Sequence, residues 1–179
     1  MQRDMERVLL TKEQLQSRVA QLRAQLARDY DGKDPVFLGV LKGAVPFFTD
    51  ITSEIPIQCC FDFVYVSSYG AGVRSSGQVQ LFKDASMELR GRHVVVIEDI
   101  LDTGHTLDFL KKHLLQKEPA SLRFCILLDK PERREVDFQA DYVGFTIPNE
   151  FVVGYGLDYN EHYRNLPYVG VLKSEIYSK

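Results

Sequence analysis

Three carboxylic acids, Glu98, Asp99 and Asp102, follow directly after the apolar, β-branched run Val94–Ile97. Carboxylates placed this close together repel one another unless a cation or a proton shares the site. We therefore expect the run to form a buried strand that ends at Ile97 and delivers all three acids to one short loop. The acids of that loop should share their site with a cation or a proton.

The next residues, 103–106, offer hydrogen-bond donors instead of acids. Gly104 permits a tight turn, and the hydroxyls of Thr103 and Thr106 accompany the unpaired backbone N–H groups of a helix start. Such groups bind phosphate well, and open α/β sheets place ligands at the carboxyl ends of their strands. The segment favours a phosphate-binding turn, with an acidic loop and a threonine N-cap as the alternative. Neither a Walker A loop nor a complete dinucleotide-binding glycine pattern occurs.

Composition limits the classes of protein to which the chain can belong. With 179 residues, 45% hydrophobic and 26% charged, it has enough apolar content for one ordinary core. The net charge of −3 weighs against a nucleic-acid partner. Three cysteines without C-x-x-C spacing predict neither disulfides nor a zinc site. The charged N-terminus and the lack of a long apolar run lead us to expect a cytoplasmic protein with no membrane partner.

Hydrophobic periodicity predicts alternating strands and helices. A helix is expected over about 11–29, because apolar residues recur at helical spacing and Thr11 with Gln14 matches a capping box. Further apolar runs predict strands at 36–43, 58–67, 78–84, 94–97, 122–130, 141–147 and 151–156, and helices at 45–55 and 107–116. This order favours an α/β fold with a mostly parallel sheet. The Ser/Gly-rich segment that follows the second strand should be a loop.

The stretch VVVIEDILDTGHT resembles the motif with which type I phosphoribosyltransferases bind phosphoribosyl diphosphate. Other segments match that family in the same order along the chain. Leu41–Gly43 is similar to its pyrophosphate-binding loop, and Ser68–Gly70 to the start of its mobile closing loop. Leu128–Lys130 and the run FVVGYGLDYNEHYRNLPYVGVL are similar to the purine-site elements of its hypoxanthine(-guanine)-specific members. The matches extend from about Phe37 to Leu172.

This resemblance implies a fold and an activity. The fold is a mostly parallel twisted sheet flanked by helices, in one domain (1–179) with a small hood built from segments 1–12 and 148–172 and a mobile closing loop at about 67–78. The activity is purine salvage, in which the 5-phosphoribosyl group passes from phosphoribosyl diphosphate to hypoxanthine or guanine, giving IMP or GMP and pyrophosphate, with Mg²⁺ required. The family also implies a homodimer or homotetramer that acts on small molecules, without nucleic-acid or membrane partners.

The resemblance also assigns roles to individual residues. Asp102 would be the catalytic acid–base group at purine N7. The residues that would bind phosphoribosyl diphosphate are Leu41, Lys42, Gly43, Ser68, Tyr69, Glu98, Asp99, Asp102, Thr103, Gly104, His105, Thr106 and Arg164. Those that would bind the purine are Ile100, Lys130, Phe151, Val152, Leu157 and Asp158. Those that would hold Mg²⁺, in part through water, are Glu98, Asp99 and Asp158.

Several of these residues also have simpler interpretations. Lys42 and Arg164 could be solvated surface residues, Phe151 a core residue, and Asp102 a residue that only fixes its loop. His105 stands where some family members carry lysine, and a neutral imidazole there should have a modest effect. In some members the peptide at Lys42 is cis. For the whole protein, a nucleotide-binding or RNA-binding regulator that has lost catalysis and a xanthine-specific enzyme are the alternatives.

Overall fold

A computed structural model describes residues 1–68 and 79–178 of the chain. The strands are β1 (Met5–Leu10), β2 (Val36–Leu41), β3 (Cys60–Ser68), β4 (Val79–Lys83), β5 (His93–Leu101), β6 (Ser121–Asp129), β7 (Tyr142–Thr146), β8 (Val152–Val153) and β9 (Val169–Leu172). The helices are α1 (Lys12–Asp29), α2 (Val45–Thr52), α3 (His105–Leu115) and α4 (Ser174–Tyr177). Helix α1 begins with the expected capping box between Thr11 and Gln14. None of the helices in the described part of the chain combines the length and hydropathy that a bilayer-spanning segment requires.

Six strands form one sheet in the order β4-β3-β2-β5-β6-β7. All neighbours are parallel except β4, which pairs antiparallel with β3 at one edge. The mostly parallel α/β sheet predicted from the sequence is therefore confirmed. Because β2, β5 and β6 run in the same direction, their carboxyl ends meet at one edge of the sheet, where such folds bind ligands.

Helices cover both faces of this sheet. Along β5, Val95 and Ile97 pack with buried residues of α1 and α2, whereas Val94 and Val96 pack with buried leucines of α3. A strand that is buried on both faces needs apolar residues at every position, which explains the uninterrupted apolar run 94–97 in β5. Cys125 of β6 is buried in the same core, and all three cysteines are free thiols, as expected.

Strand β5 is longer than expected. Its pairing with β6 continues to Leu101, four residues beyond Ile97. The expectation that three acids share one loop is therefore wrong, because Glu98 and Asp99 belong to the strand and only Asp102 follows it. Successive side chains of a strand leave the backbone in opposite directions, so the first two acids do not crowd one loop, although both reach the same cavity at the end of β5.

The two ends of the chain form a second, antiparallel sheet of three strands in the order β1-β9-β8. Four buried side chains form its core: Met5, Val153, Leu166 and Leu172. Strand β8 is shorter than the run 151–156 that was predicted, because Gly154 and Gly156 adopt φ angles of 98° and 101° and turn the chain. This sheet is the small hood of terminal segments that the resemblance implied.

Candidate active site

A cavity of about 620 Å³ opens at the carboxyl ends of β5 and β6, between the six-stranded sheet and β8. Twelve of the residues singled out in the sequence line it: Glu98, Asp99, Ile100, Asp102, Thr103, Gly104, Thr106, Lys130, Phe151, Val152, Leu157 and Asp158. Six further residues line it that the sequence did not single out: Leu101, Leu107, Arg133, Asn149, Glu150 and Tyr177. The cavity thus combines an acidic wall, a helix start and an aromatic wall.

The acidic wall consists of Glu98 and Asp99 at the end of β5. Asp99 is only 8% exposed, and burial raises the pKa of its carboxyl to about 6, although backbone hydrogen bonds and the Arg164 guanidinium act in the opposite direction. Burial, reinforced by the neighbouring Asp99, raises the pKa of Glu98 well above its ordinary value. A nearby cation would therefore stabilise the ionised form of both carboxyls.

These acids suit a hard divalent cation that keeps most of its water. Within residues 1–68 and 79–178, no group of three or more His, Cys, Asp or Glu side chains converges on one point as a closed metal cage would require. Magnesium commonly takes one or two carboxylates and completes its octahedron with water and phosphate oxygens. The acid pair, of which Asp99 is buried and Glu98 partly buried, fits that mode of binding and does not fit a structural zinc site.

The loop Leu41–Gly43 lies against the acidic wall although it does not line the cavity. The Leu41–Lys42 peptide bond is cis, as it is in some members of the family that the sequence resembles. A Cβ atom built on Gly43 would collide with the Asp99 carboxylate, and one built on Gly156 would collide with the Gly43 carbonyl oxygen. The absence of both side chains brings this loop, the acid and the turn after β8 into direct contact.

Beside this loop, Glu161 connects two cations. Its Oε2 lies 3.1 Å from Nζ of Lys42, and its Oε1 lies 3.4 Å from Nη2 of Arg164. Arg164 also contacts Asp158 at 2.8 Å and donates a hydrogen bond to the Gly156 carbonyl. Neither cation lines the cavity, but both lie at its acidic end, and Glu161 was not singled out from the sequence.

Helix α3 presents its N-terminus to the cavity. Its N-cap is Gly104, with φ of 93° and no side-chain cap, so the threonine N-cap considered for this loop is not formed. A Cβ at this position would approach Val136 to 2.7 Å, and a left-handed φ itself favours glycine. The first N–H groups of the helix are thus left for a ligand. His105, the first helical residue, does not line the cavity, and its Nε2 lies 2.7 Å from Oε2 of Glu135.

Asp102 follows β5 and is held by two consecutive arginines. Nε of Arg133 lies 3.0 Å from its Oδ1, and Arg134 donates to its backbone carbonyl at 2.7 Å. Arg134 also pairs with Asp129 at the end of β6. The sequence contained a usable signal, because these arginines follow the neighbouring strand and must reach the same edge of the sheet.

The opposite end of the cavity combines an aromatic wall with one ammonium group. Lys130 is 6% exposed, burial lowers its pKa, and its Nζ donates to the Glu150 carbonyl at 2.7 Å. The ring of Phe151 stacks on Tyr177 with centroids 4.7 Å apart. A flat, largely apolar ligand that carries one hydrogen-bond acceptor matches this end.

The closing-loop residues cannot be placed in this way. Ser68 is the last residue of β3, and Tyr69 with residues 70–78 lies outside the described residues. The expected contacts of Ser68 and Tyr69 to a ligand stay predictions.

Residues 9–160 match the phosphoribosyl transferase domain family. The chain belongs to this family. It is 48% identical over 178 residues to the hypoxanthine-guanine phosphoribosyltransferase of Streptococcus pneumoniae strain R6, and the alignment covers 99% of each chain. A crystal structure of a hypoxanthine phosphoribosyltransferase from Staphylococcus aureus matches this phosphoribosyltransferase with a TM-score of 0.95 and 49% identity, covering 100% of this chain and 97% of that one. A hypoxanthine-guanine phosphoribosyltransferase from Bacillus anthracis matches with a TM-score of 0.87 and 46% identity, covering 94% and 99%.

Proposed function

We propose that this phosphoribosyltransferase transfers the 5-phosphoribosyl group of phosphoribosyl diphosphate to hypoxanthine and guanine, forming IMP or GMP and releasing pyrophosphate. One observation carries the proposal: a single cavity joins an acidic wall, an uncapped helix start and an aromatic wall with a buried ammonium group. A phosphorylated sugar matches the acidic wall and the helix start, and a flat 6-oxopurine matches the aromatic wall with its ammonium group.

The sugar phosphate occupies the start of α3. Its 5′-phosphate accepts hydrogen bonds from the N–H groups that follow Gly104 and from the hydroxyls of Thr103 and Thr106, which line the cavity. Lys42 and Arg164 hold the pyrophosphate at the other side of the acidic wall, where the forked guanidinium suits phosphate oxygens.

Glu98 and Asp99 face the ribose hydroxyls, and together with Asp158 they would hold a hydrated Mg²⁺, which would supply positive charge for the pyrophosphate. The two acids accept hydrogen bonds from the ribose hydroxyls. Burial raises their pKa values and so favours the protonated form, whereas a nearby cation would lower these pKa values and favour the ionised form.

The purine lies between the aromatic wall and the end of β5. Phe151 stacks on the base, and Val152, Leu157 and Ile100 complete the apolar contact. Lys130 donates to the 6-oxo oxygen. A 6-amino group offers this ammonium no acceptor, and an unpaired buried donor is costly, so adenine is disfavoured.

Asp102 moves the proton at purine N7. The carboxylate accepts this proton as the glycosidic bond forms and returns it in the reverse reaction. Arg133 keeps the carboxylate in place through the 3.0 Å hydrogen bond to Oδ1.

A substrate panel tests the proposal. The purified protein with phosphoribosyl diphosphate and Mg²⁺ should convert hypoxanthine and guanine to nucleotides, convert adenine poorly, and lose activity when the metal is chelated. Asp102→Asn should be nearly inactive, whereas Asp108→Asn, a matched change on α3 outside the cavity, should behave like the parent. No turnover of any 6-oxopurine would refute the proposal, and a clear preference for xanthine would change its substrate.

A further inference from the structure

Tyr177, the last residue of α4, is part of the cavity wall. Its ring is nearly parallel to that of Phe151, with an interplanar angle of 20° and a centroid separation of 4.7 Å. This is the geometry of a stacked aromatic pair rather than a chance surface contact. The two rings line the same cavity from segments that are more than twenty residues apart in sequence.

Phe151 is supported by a second aromatic ring as well. Tyr159 meets it nearly at right angles, with centroids 5.8 Å apart and an interplanar angle of 86°. Both tyrosines pack against the apolar core of the three-stranded sheet, as does Ile176. A side chain held by one stacked and one perpendicular ring has little freedom to change rotamer, so its orientation is fixed before any ligand binds.

We propose that Tyr177 is a positioning residue for the purine base. It covers one face of Phe151 and thereby offers the other face to the base in a fixed orientation. Since a wall that is ordered in advance does not lose conformational freedom on binding, the pair strengthens base binding without touching the phosphate end of the cavity. This inference rests on the proposed stacking of the base on Phe151.

Kinetics of three variants test it. In Tyr177→Ala, KM for hypoxanthine should rise about three- to tenfold, the range expected for the loss of one aromatic stacking contact. The turnover number at saturating base and KM for phosphoribosyl diphosphate should change less than about twofold. Tyr177→Phe should restore the parent KM, because the contact is made by the ring. Ile176→Ala removes an apolar side chain from the same helix without changing the cavity wall, and KM for hypoxanthine should stay within about twofold of the parent value.

Other results would overturn the inference. An unchanged KM in Tyr177→Ala would remove the role, and a lower KM would mean that Tyr177 stands where the base belongs. An equal rise of KM for hypoxanthine in Ile176→Ala would mean that any loosening of α4 weakens base binding and that the Tyr177 ring has no specific role. Calorimetric binding of GMP to the parent and to Tyr177→Ala separates this inference from the proposed function: the variant should bind GMP more weakly by the same factor even if the parent shows no turnover. Failure of the parent to bind GMP would dismiss both.

Discussion

The Arg133 guanidinium holds the Asp102 carboxylate through a hydrogen bond of 3.0 Å from Nε to Oδ1, at the edge of the cavity where β5 and β6 end. The two side chains are about equally exposed, at 38% for Asp102 and 36% for Arg133. The pair is thus accessible to a ligand and keeps the acid oriented before one arrives. A base that presents N7 to Asp102 would meet a carboxylate that already has one of its oxygens engaged.

Asp102→Asn should lower the turnover number by about 10²- to 10⁴-fold, because a positioned acid–base group is lost. Binding of phosphoribosyl diphosphate should change far less, since the amide keeps the shape of the loop. Single-turnover measurements should be used so that slow product release does not hide the chemical step. An unchanged single-turnover rate would leave Asp102 with a structural role only.

Arg133→Gln should lower the turnover number by about two- to fivefold, the effect expected for a partly exposed ion pair. The loss should vanish in the Asp102→Asn background, because the arginine would have no carboxylate left to orient. A double-mutant cycle on single-turnover rates measures this coupling. Additive losses would show that Arg133 acts on the substrate by itself.

Lys130→Met should reduce the preference for hypoxanthine over adenine by about tenfold or more. The ammonium group of Lys130 can donate to a 6-oxo group but finds no acceptor in a 6-amino group, and the substitution removes this difference. The ratio of kcat/KM for the two bases is the measurement. Lys112→Met, on the surface of α3, controls for the loss of one positive charge. Selectivity that survives in Lys130→Met would assign recognition of the 6-position to another group.

Glu161→Gln should tighten pyrophosphate binding by about two- to fivefold at low salt, because Lys42 and Arg164 no longer share a carboxylate. Lys42 and Glu161 are 53% and 64% exposed, so salt should screen the effect. Calorimetry with pyrophosphate at two ionic strengths measures it, and Glu175→Gln supplies a control with the same change in net charge. Weaker binding in Glu161→Gln would instead mean that the glutamate orders the two cations.

Asp99→Asn should stabilise the metal-free protein at pH 8 but not at pH 4. The folded pKa of about 6 lies above the ordinary value of 3.8, so the folded state binds the proton more tightly than the unfolded state. The acid therefore costs almost no stability below about pH 4. The cost grows as the pH rises from about 4 to about 6 and then stays at no more than about 3 kcal/mol. Urea unfolding with a chelator at both pH values measures the free energy of unfolding. Equal stabilities of the two proteins at pH 8 would contradict the prediction.

The sequence predicted the central elements of the fold because their apolar runs and their caps are local signals. The capping box at Thr11 and the apolar run that becomes β5 needed no tertiary information. Strand β1 was not predicted, because only its end residues, Met5 and Leu10, are buried and its pairing with β9 joins opposite ends of the chain. Such pairing depends on contacts that no window of sequence contains.

In the candidate site, too, residues with a local sequence signal could be predicted, whereas residues that depend on distant contacts could not. Residues within one motif, such as Glu98 and Asp102, could be singled out from spacing and resemblance alone. Glu161 and Tyr177 could not, since each matters through a partner distant in the sequence, whereas Arg133 was missed although its position shortly after β6 was a usable signal. The end of β5 was misjudged because acidic residues usually signal a loop, whereas pairing with β6 continues through them.

The wall that carries Phe151 depends on β9, which pairs with both β8 and β1. The six-stranded sheet, by contrast, is complete once β7 has been made at Thr146. The turn at the start of α3 therefore rests on strands that precede Thr146, whereas the aromatic wall also needs β9. On the proposed function, a change that breaks the pairing of β8 with β9 should weaken recognition of the base before it weakens binding of the sugar phosphate.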